Sequence, residues 1–154
     1  NSRTYNHQKD NFDFNAEKLE SIAKVGKELG IELFVLDDGW FGKRDNDKSS
    51  LGDWVVDSKK LPNGLKDLAE RINKLGLKFG LWFEPEMVSP DSDLYRAHPD
   101  WCLHVPNRSR SEGRSQLILD LSRKEVCDLV RIGAFPILCE QARSYSSDML
   151  EQGL

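Results

Sequence analysis

"VLDDGWFG", residues 35–42, decides how the chain is read. Val35 and Leu36 close an apolar run, and then come two adjacent carboxylates, a glycine and two aromatics. Like charges side by side raise each other's pKa and must be desolvated if buried. Folding alone gives no reason to end a buried strand on them. A binding site at the strand's end does.

Working outward, "IELFVL" (31–36) is a continuous apolar strand, the kind expected in a parallel sheet covered on both faces. Before it, "AEKLESIAKVGKELG" (16–30) places Ala16, Leu19, Ile22, Ala23, Val25 and Leu29 roughly at helical spacing, with Gly30 where a C-cap glycine belongs. "NFDFN" (11–15) alternates aromatic with polar residues, a short strand signal. After the acidic pair a polar loop runs to about Leu61. Pro62, Asn63 and Gly64 then open a second helix, striped by Leu65, Leu68, Ala69, Ile72 and Leu75 and closed by Gly76. "LKFGLWFEP" (77–85) and "QLILDLS" (116–122) read as strands, and 90–105 as one or two short helices followed by an extended piece. "SRKEVCDLV" (122–130) reopens a helix with Ser122 as N-cap.

Strands alternating with helices argue for βαβ units and a parallel sheet. The phrase helix, glycine, strand occurs twice, in "KELGIELFVL" and "NKLGLKFGLW". No GxGxxG follows the first strands and no GxxxxGK[ST] occurs, which disfavours a nucleotide-binding sheet. The reading is α/β, a (β/α)8 barrel whose site lies at the C-terminal strand ends. Asp37-Asp38, Trp82 with Glu84, and Asp120 stand at three such ends. About four strands are present, so the chain is read as the N-terminal half of a barrel.

Composition agrees with an ordinary water-soluble domain: 38% hydrophobic and 31% charged residues, net charge −4 and pI near 5.4. A basic footprint for nucleic acid is lacking. No apolar run reaches the roughly 20 residues of a membrane span, and "NSRTYNHQKD" has no apolar leader segment. Three cysteines, Cys102, Cys127 and Cys139, fit no metal or redox spacing. They are read as free thiols of a reducing compartment, which places the protein in the cytoplasm.

Two adjacent carboxylates at a strand end suit a ligand with adjacent hydroxyls, and each charged hydrogen bond contributes on the order of 1.5–3 kcal/mol. A divalent-metal site is the rival functional reading; a loop cap beside a solvated charge is the structural one. Trp82 offers a flat face of the kind that stacks on a sugar's C–H groups; core packing is the alternative, and the default for Phe83. Glu84 and Glu86 read as supporting carboxylates, with an acid/base pair as the alternative. His7, His98 and His104 lack metal-pair spacing. In the basic loop 107–115, Arg114 lies nearest the next strand and can fork onto a hydroxyl or a carboxylate.

The runs "LFVLDDGWFGKRDNDKSSLGDW", "LPNGLKDLAERINKLGLKFGLWFEPEMVSPDSDLYRAHPDW" and "RSEGRSQLILDLSR" resemble the bacterial α-galactosidases of glycoside hydrolase family 36, almost unbroken from about Asn11 to about Val130. The resemblance implies a (β/α)8 catalytic domain and retaining hydrolysis of terminal α-galactosyl residues from raffinose or melibiose. It implies no metal and no cofactor, and full-length relatives that are homo-oligomers. By the resemblance Asp37 and Asp38 bind the galactose 4- and 6-hydroxyls, Trp82 lines the pocket, Arg114 contacts the sugar, and Trp40, Asp53 and Trp54 lie in the active-site loop. Small galactosides are the expected partners.

Two departures stand out. Arg3 occupies the place of a pocket-wall Trp in the family's Asn-x-Trp-Glu-Ala-Thr-Tyr-Phe phrase. From about Arg131 the tail "RIGAFPILCEQARSYSSDMLEQGL" lacks the Lys-Trp-Asp strand that carries the nucleophile; Ser147 and Met149 stand at its Lys and Asp positions. Residues 1–130 are therefore read as a partial catalytic domain and 131–154 as a divergent tail. The nucleophile and acid/base are expected outside this chain, and the isolated chain is expected to be inactive. A non-catalytic galactose-binding module is the alternative.

Overall fold

The computed structural model describes residues 12–132. Cys139, His7, Arg3, Pro136, Ser147 and Met149, and so nearly all of the expected tail, lie outside the described residues.

Helix α1 spans Ala16–Glu28. Asn15 starts it: its extended backbone leaves Oδ1 to accept from the Lys18 N–H at 2.9 Å, satisfying one of the first-turn donors. Helix α2 spans Gly64–Lys74. Both helices stop alike. Gly30 and Gly76 have φ of +82° and +77°, a conformation that glycine adopts without strain. Their N–H groups donate to Lys27 O and Asn73 O. The repeated phrase in the sequence is thus a repeated helix stop, and the Lys27 ammonium ties the two stops by donating to Gly76 O.

Each stop releases the chain into a strand, β1 at Leu33–Leu36 and β2 at Lys78–Leu81. The two pair in parallel, Leu33 opposite Lys78 through Leu36 opposite Leu81, which makes β1-α2-β2 a βαβ unit. Trp82 N donates to Leu36 O at 2.9 Å, so the pairing continues to the point where both strands end. Leu19, Ala23, Leu65, Leu68, Ala69 and Ile72 of the helices bury Phe34, Leu36 and Phe79 of the strands.

Five expectations are corrected. "NFDFN" forms no strand over its described residues 12–15; Phe14 is buried, but no backbone among the described residues pairs with it, and Asn15 serves the helix instead. β1 is covered on one face only: Phe34 and Leu36 are buried while Leu33 and Val35 are 50% and 41% exposed. Val25 and Leu29 of the helical stripe are exposed too, because the stripe is wider than the layer packed on it. "QLILDLS" yields only β4 (Leu117–Ile118), antiparallel to an unforeseen β3 (Met87–Val88) and separate from the parallel pair. A short apolar run carries no information on its partner or its sense. Finally, the last helix begins at 124, not at Ser122. Ser122 donates from both N and Oγ to Asp120 Oδ1.

Between β3 and β4 lie α3 (Asp93–Ala97), capped by Ser92 Oγ, and one 3-10 turn (Pro99–Trp101). Val88, Cys102, Leu117, Leu119 and Val126 form a second small core there. Cys102 is buried and Cys127 exposed, both as free thiols. No helix of the described residues is long and apolar enough to cross a membrane.

Candidate functional site

Because β1 and β2 are parallel and in register, the residues that leave them emerge side by side: Asp37-Asp38 from one, Trp82-Phe83-Glu84 from the other. Asp37 is half-buried, and its Oδ1 accepts from the Asp38 N–H at 2.9 Å. Asp38 is 4% exposed and its Oδ2 takes Arg44 Nη2 at 2.9 Å. Arg44 is itself 1% exposed and donates from Nη1 to Ser49 O at 2.7 Å. The Lys60 ammonium fastens the same loop, donating to Gly39 O and Arg44 O and pairing with Asp45. The buried charge is thereby matched, which is the condition for keeping a carboxylate inside.

The indoles divide by role. Trp40 is fully buried and its Nε1 donates to Trp82 O at 3.1 Å, locking the acidic turn to the end of β2. Trp54 is 7% exposed and packs on Phe83 at 4.0 Å between ring centres. Trp40 has no open face, while Trp54, though nearly buried, borders a cavity. Trp82 is half-buried and stacks at 15° over Phe41, 6.4 Å away. Phe83 packs against the core, as read from the sequence.

Glu84 holds its proton above the usual glutamate range. Burial is the main cause and the Glu86 charge adds to it; Arg114 and Arg44 pull the other way, and Asp38 raises it slightly. Asp38, Arg44, Glu84, Glu86 and Arg114 therefore share one electrostatic neighbourhood. Arg114 is exposed and sits with Ser115 in a two-residue turn, φ +55° and +58°, closed by hydrogen bonds between Gly113 and Gln116 in both directions. Two non-glycine residues at positive φ are strained, a feature that clusters at functional sites.

Two other acids are used locally, and Asp120 does not stand at an end of the parallel pair. Asp53 accepts from Asp93 N at 3.0 Å and Leu94 N at 2.9 Å, capping α3 from a distance, while burial pushes its carboxyl up. Asp120 is held low by its hydrogen bonds from Ser122 and closes the turn into the last helix. His98 stacks on Trp101 and His104 donates to Arg108 O. Among the described residues no group of three His, Cys, Asp or Glu side chains is arranged to hold a metal ion. A cavity of about 680 Å3 opens beside Trp54, Val55, Val56, Leu94 and Leu129, and neither Asp37, Asp38, Trp82 nor Arg114 lines it. Two strand ends alone do not enclose a pocket, since a barrel site draws on many.

Arg44 and Lys60 escaped the sequence reading inside the long polar loop. Charge accounting was the available signal, because a buried carboxylate calls for a nearby cation. It could not say which of Lys43, Arg44, Lys48 or Lys60 supplies it.

The described residues thus form an α/β segment with paired carboxylates and one indole at the ends of two parallel strands. Comparison with known proteins shows the family. The melibiase family pattern matches residues 5–147. α-Galactosidase AgaA of Geobacillus stearothermophilus is 70% identical over 119 residues, 77% of this chain and 16% of the relative. α-Galactosidase Mel36A of Lactobacillus acidophilus is 59% identical over 117 residues, 76% of this chain and 16% of the relative. The crystal structure of glycoside hydrolase family 36 α-galactosidase AgaB from Geobacillus stearothermophilus superposes with a TM-score of 0.79 at 68% identity, covering 83% of this chain and 18% of that one. A variant of AgaA from the same species, in complex with raffinose, superposes with a TM-score of 0.78 at 64% identity, covering 85% and 18%. The chain belongs to the melibiase family, glycoside hydrolase family 36. It spans about a sixth of the length of the curated relatives it matches.

Proposed function

We propose that this chain is part of the (β/α)8 catalytic domain of an α-galactosidase, from its N-terminal half, and supplies the galactose-recognising part of the site. The observation that carries the reading is the in-register end of β1 and β2, which sets a buried, ion-paired Asp38 and a half-buried Asp37 beside Trp82 and Glu84. The uncovered Leu33 and Val35 face of β1 supports it, because a barrel interior would cover such a face. So does the raffinose complex of the AgaA variant. In this reading residues 1–130 form the catalytic segment and 131–154 a divergent tail. Asp37 and Asp38 bind the 4- and 6-hydroxyls, Trp82 stacks on the sugar, and Arg114 reaches it from its strained turn. Trp40, Trp54 and Asp53 hold these groups in place.

Retaining hydrolysis needs two carboxyl groups roughly 5–5.5 Å apart. The nucleophile and acid/base of this reaction lie outside the described residues. The test is a chimera in which this chain's residues replace the matching 119 residues of Geobacillus stearothermophilus AgaA. Turnover of a chromogenic α-galactoside by the chimera, and none by the 154-residue chain alone, is the expected pair of results. A folded chimera that binds galactose without turnover would favour a binding module, and one that does neither overturns the reading.

The same chimera reports on Glu84. A carboxyl whose pKa is raised on folding contributes stability that is fully present below its unfolded value, near 4.5, and lost as pH rises through the folded value. Glu84→Gln removes that pH-dependent loss. The variant is expected to be more stable than the parent at pH 7, with the difference closing near pH 4. Urea unfolding at the two pH values measures it, and equal stability at pH 7 would refute the assignment.

A further inference from the structure

Arg44 is the most deeply buried cation among the described residues, and the sugar chemistry proposed above does not use it directly. Its guanidinium joins two segments: Nη2 to Asp38 Oδ2 at 2.9 Å and Nη1 to Ser49 O at 2.7 Å. Nε has no hydrogen-bond partner among the described residues. The plane is flanked by the Phe12 and Phe41 rings, 6.0 and 5.8 Å from Cζ to their centres. Lys60 grips the Arg44 backbone oxygen at 2.8 Å and Gly39 O at 3.0 Å. An arginine so enclosed has little rotational freedom, and its planar fork dictates the direction of any carboxylate bound to it.

We infer that Arg44 is a positioning residue, which holds the Asp38 carboxylate in the one orientation that reads the sugar's hydroxyls and so sets affinity for galactosides. The inference rests on the galactose-site reading of Asp38. It goes beyond that reading by assigning the selectivity of the acidic pair to a side chain that touches no substrate. Lysine would keep the charge and lose the fork, so the geometry, beyond the charge alone, is what the site requires.

Orientation of a ground-state contact affects substrate and transition state alike, so its loss appears in KM more than in kcat. A purely structural loss lowers the folded fraction instead, which reduces apparent kcat and leaves KM unchanged. In the AgaA chimera, Arg44→Met is expected to raise KM for a chromogenic α-galactoside about tenfold or more, with kcat changed far less. Arg44→Lys is expected to recover part of that loss. Asp38→Asn with and without Arg44→Met completes a cycle. If Arg44 acts through Asp38, the second substitution adds less than about twofold to the first. Effects that multiply, or an unchanged KM in Arg44→Lys, overturn the inference. Should Arg44→Met fail to fold, Arg44→Lys alone decides by the same KM criterion. The parent chimera separates the two ideas: if it is inactive the galactose-site reading fails, and if it is active while the Arg44 variants match its KM, only the role of Arg44 fails.

Discussion

Asp38→Ala in the chimera is expected to lower kcat/KM for an α-galactoside by about 10^2 to 10^4-fold and to destabilise the fold by about 3–5 kcal/mol. The first figure is two charge-assisted hydrogen bonds to sugar hydroxyls, at about 1.5–3 kcal/mol each. The second comes from Arg44. Removing its carboxylate leaves a guanidinium 1% exposed with, among the described residues, only Ser49 O as a hydrogen-bond acceptor, and an uncompensated buried charge is among the most damaging single changes. Asp37→Ala is expected to cost similar activity and less stability, because Asp37 is half-buried and water can reach the vacated space. Steady-state kinetics and urea unfolding on the three proteins measure both effects. If Asp38→Ala stays within tenfold of the parent's kcat/KM, the carboxylate pair does not recognise the sugar.

Gly39→Ala is expected to destabilise by roughly 2–5 kcal/mol, combining about 1–2 for the left-handed backbone and about 1–3 for overpacking. Gly39 has φ +95°, and a Cβ built on it would lie 2.7 Å from the Phe12 ring and 3.2 Å from the Phe14 ring. Phe14 is buried in the core, so its ring cannot swing away freely. The substitution also bears on the site. Gly39 O receives the Lys60 ammonium, and Gly39 lies between the acidic pair and Trp40, whose indole is tied to Trp82 O. A shift there displaces Asp38 and the end of β2 together. Thermal unfolding and KM on Gly39→Ala test this; a melting temperature unchanged from the parent would show that the turn has slack the structure does not display.

Much of the helix and strand framework was legible from residues alone. The stripe Leu65, Leu68, Ala69, Ile72 became the buried face of α2, and Gly30 and Gly76 ended both helices as their positions indicated. Periodicity and backbone preference are local, so a single chain displays them. Asp37 and Asp38 were also legible as an anomaly, two charges where a strand should simply end. What was not legible shares a cause. Asp53 caps α3 forty residues downstream. Trp40 is fully buried and its N–H is bound to Trp82 O. "QLILDLS" paired antiparallel with residues that carried no strand signal. Each outcome depends on what lies across space from the residue, and spacing along the chain does not encode that.

The sequence by itself determined the two helix–glycine–strand phrases and the placing of paired carboxylates at the end of the first. Only the tertiary structure decided that the two strands run parallel in register, so that Asp37 and Trp82 emerge together, and that Arg44 is the cation buried against Asp38. The physical reason is desolvation. A carboxylate taken out of water requires a partner, but several loop cations could have supplied one, and packing between Phe12 and Phe41 selected Arg44.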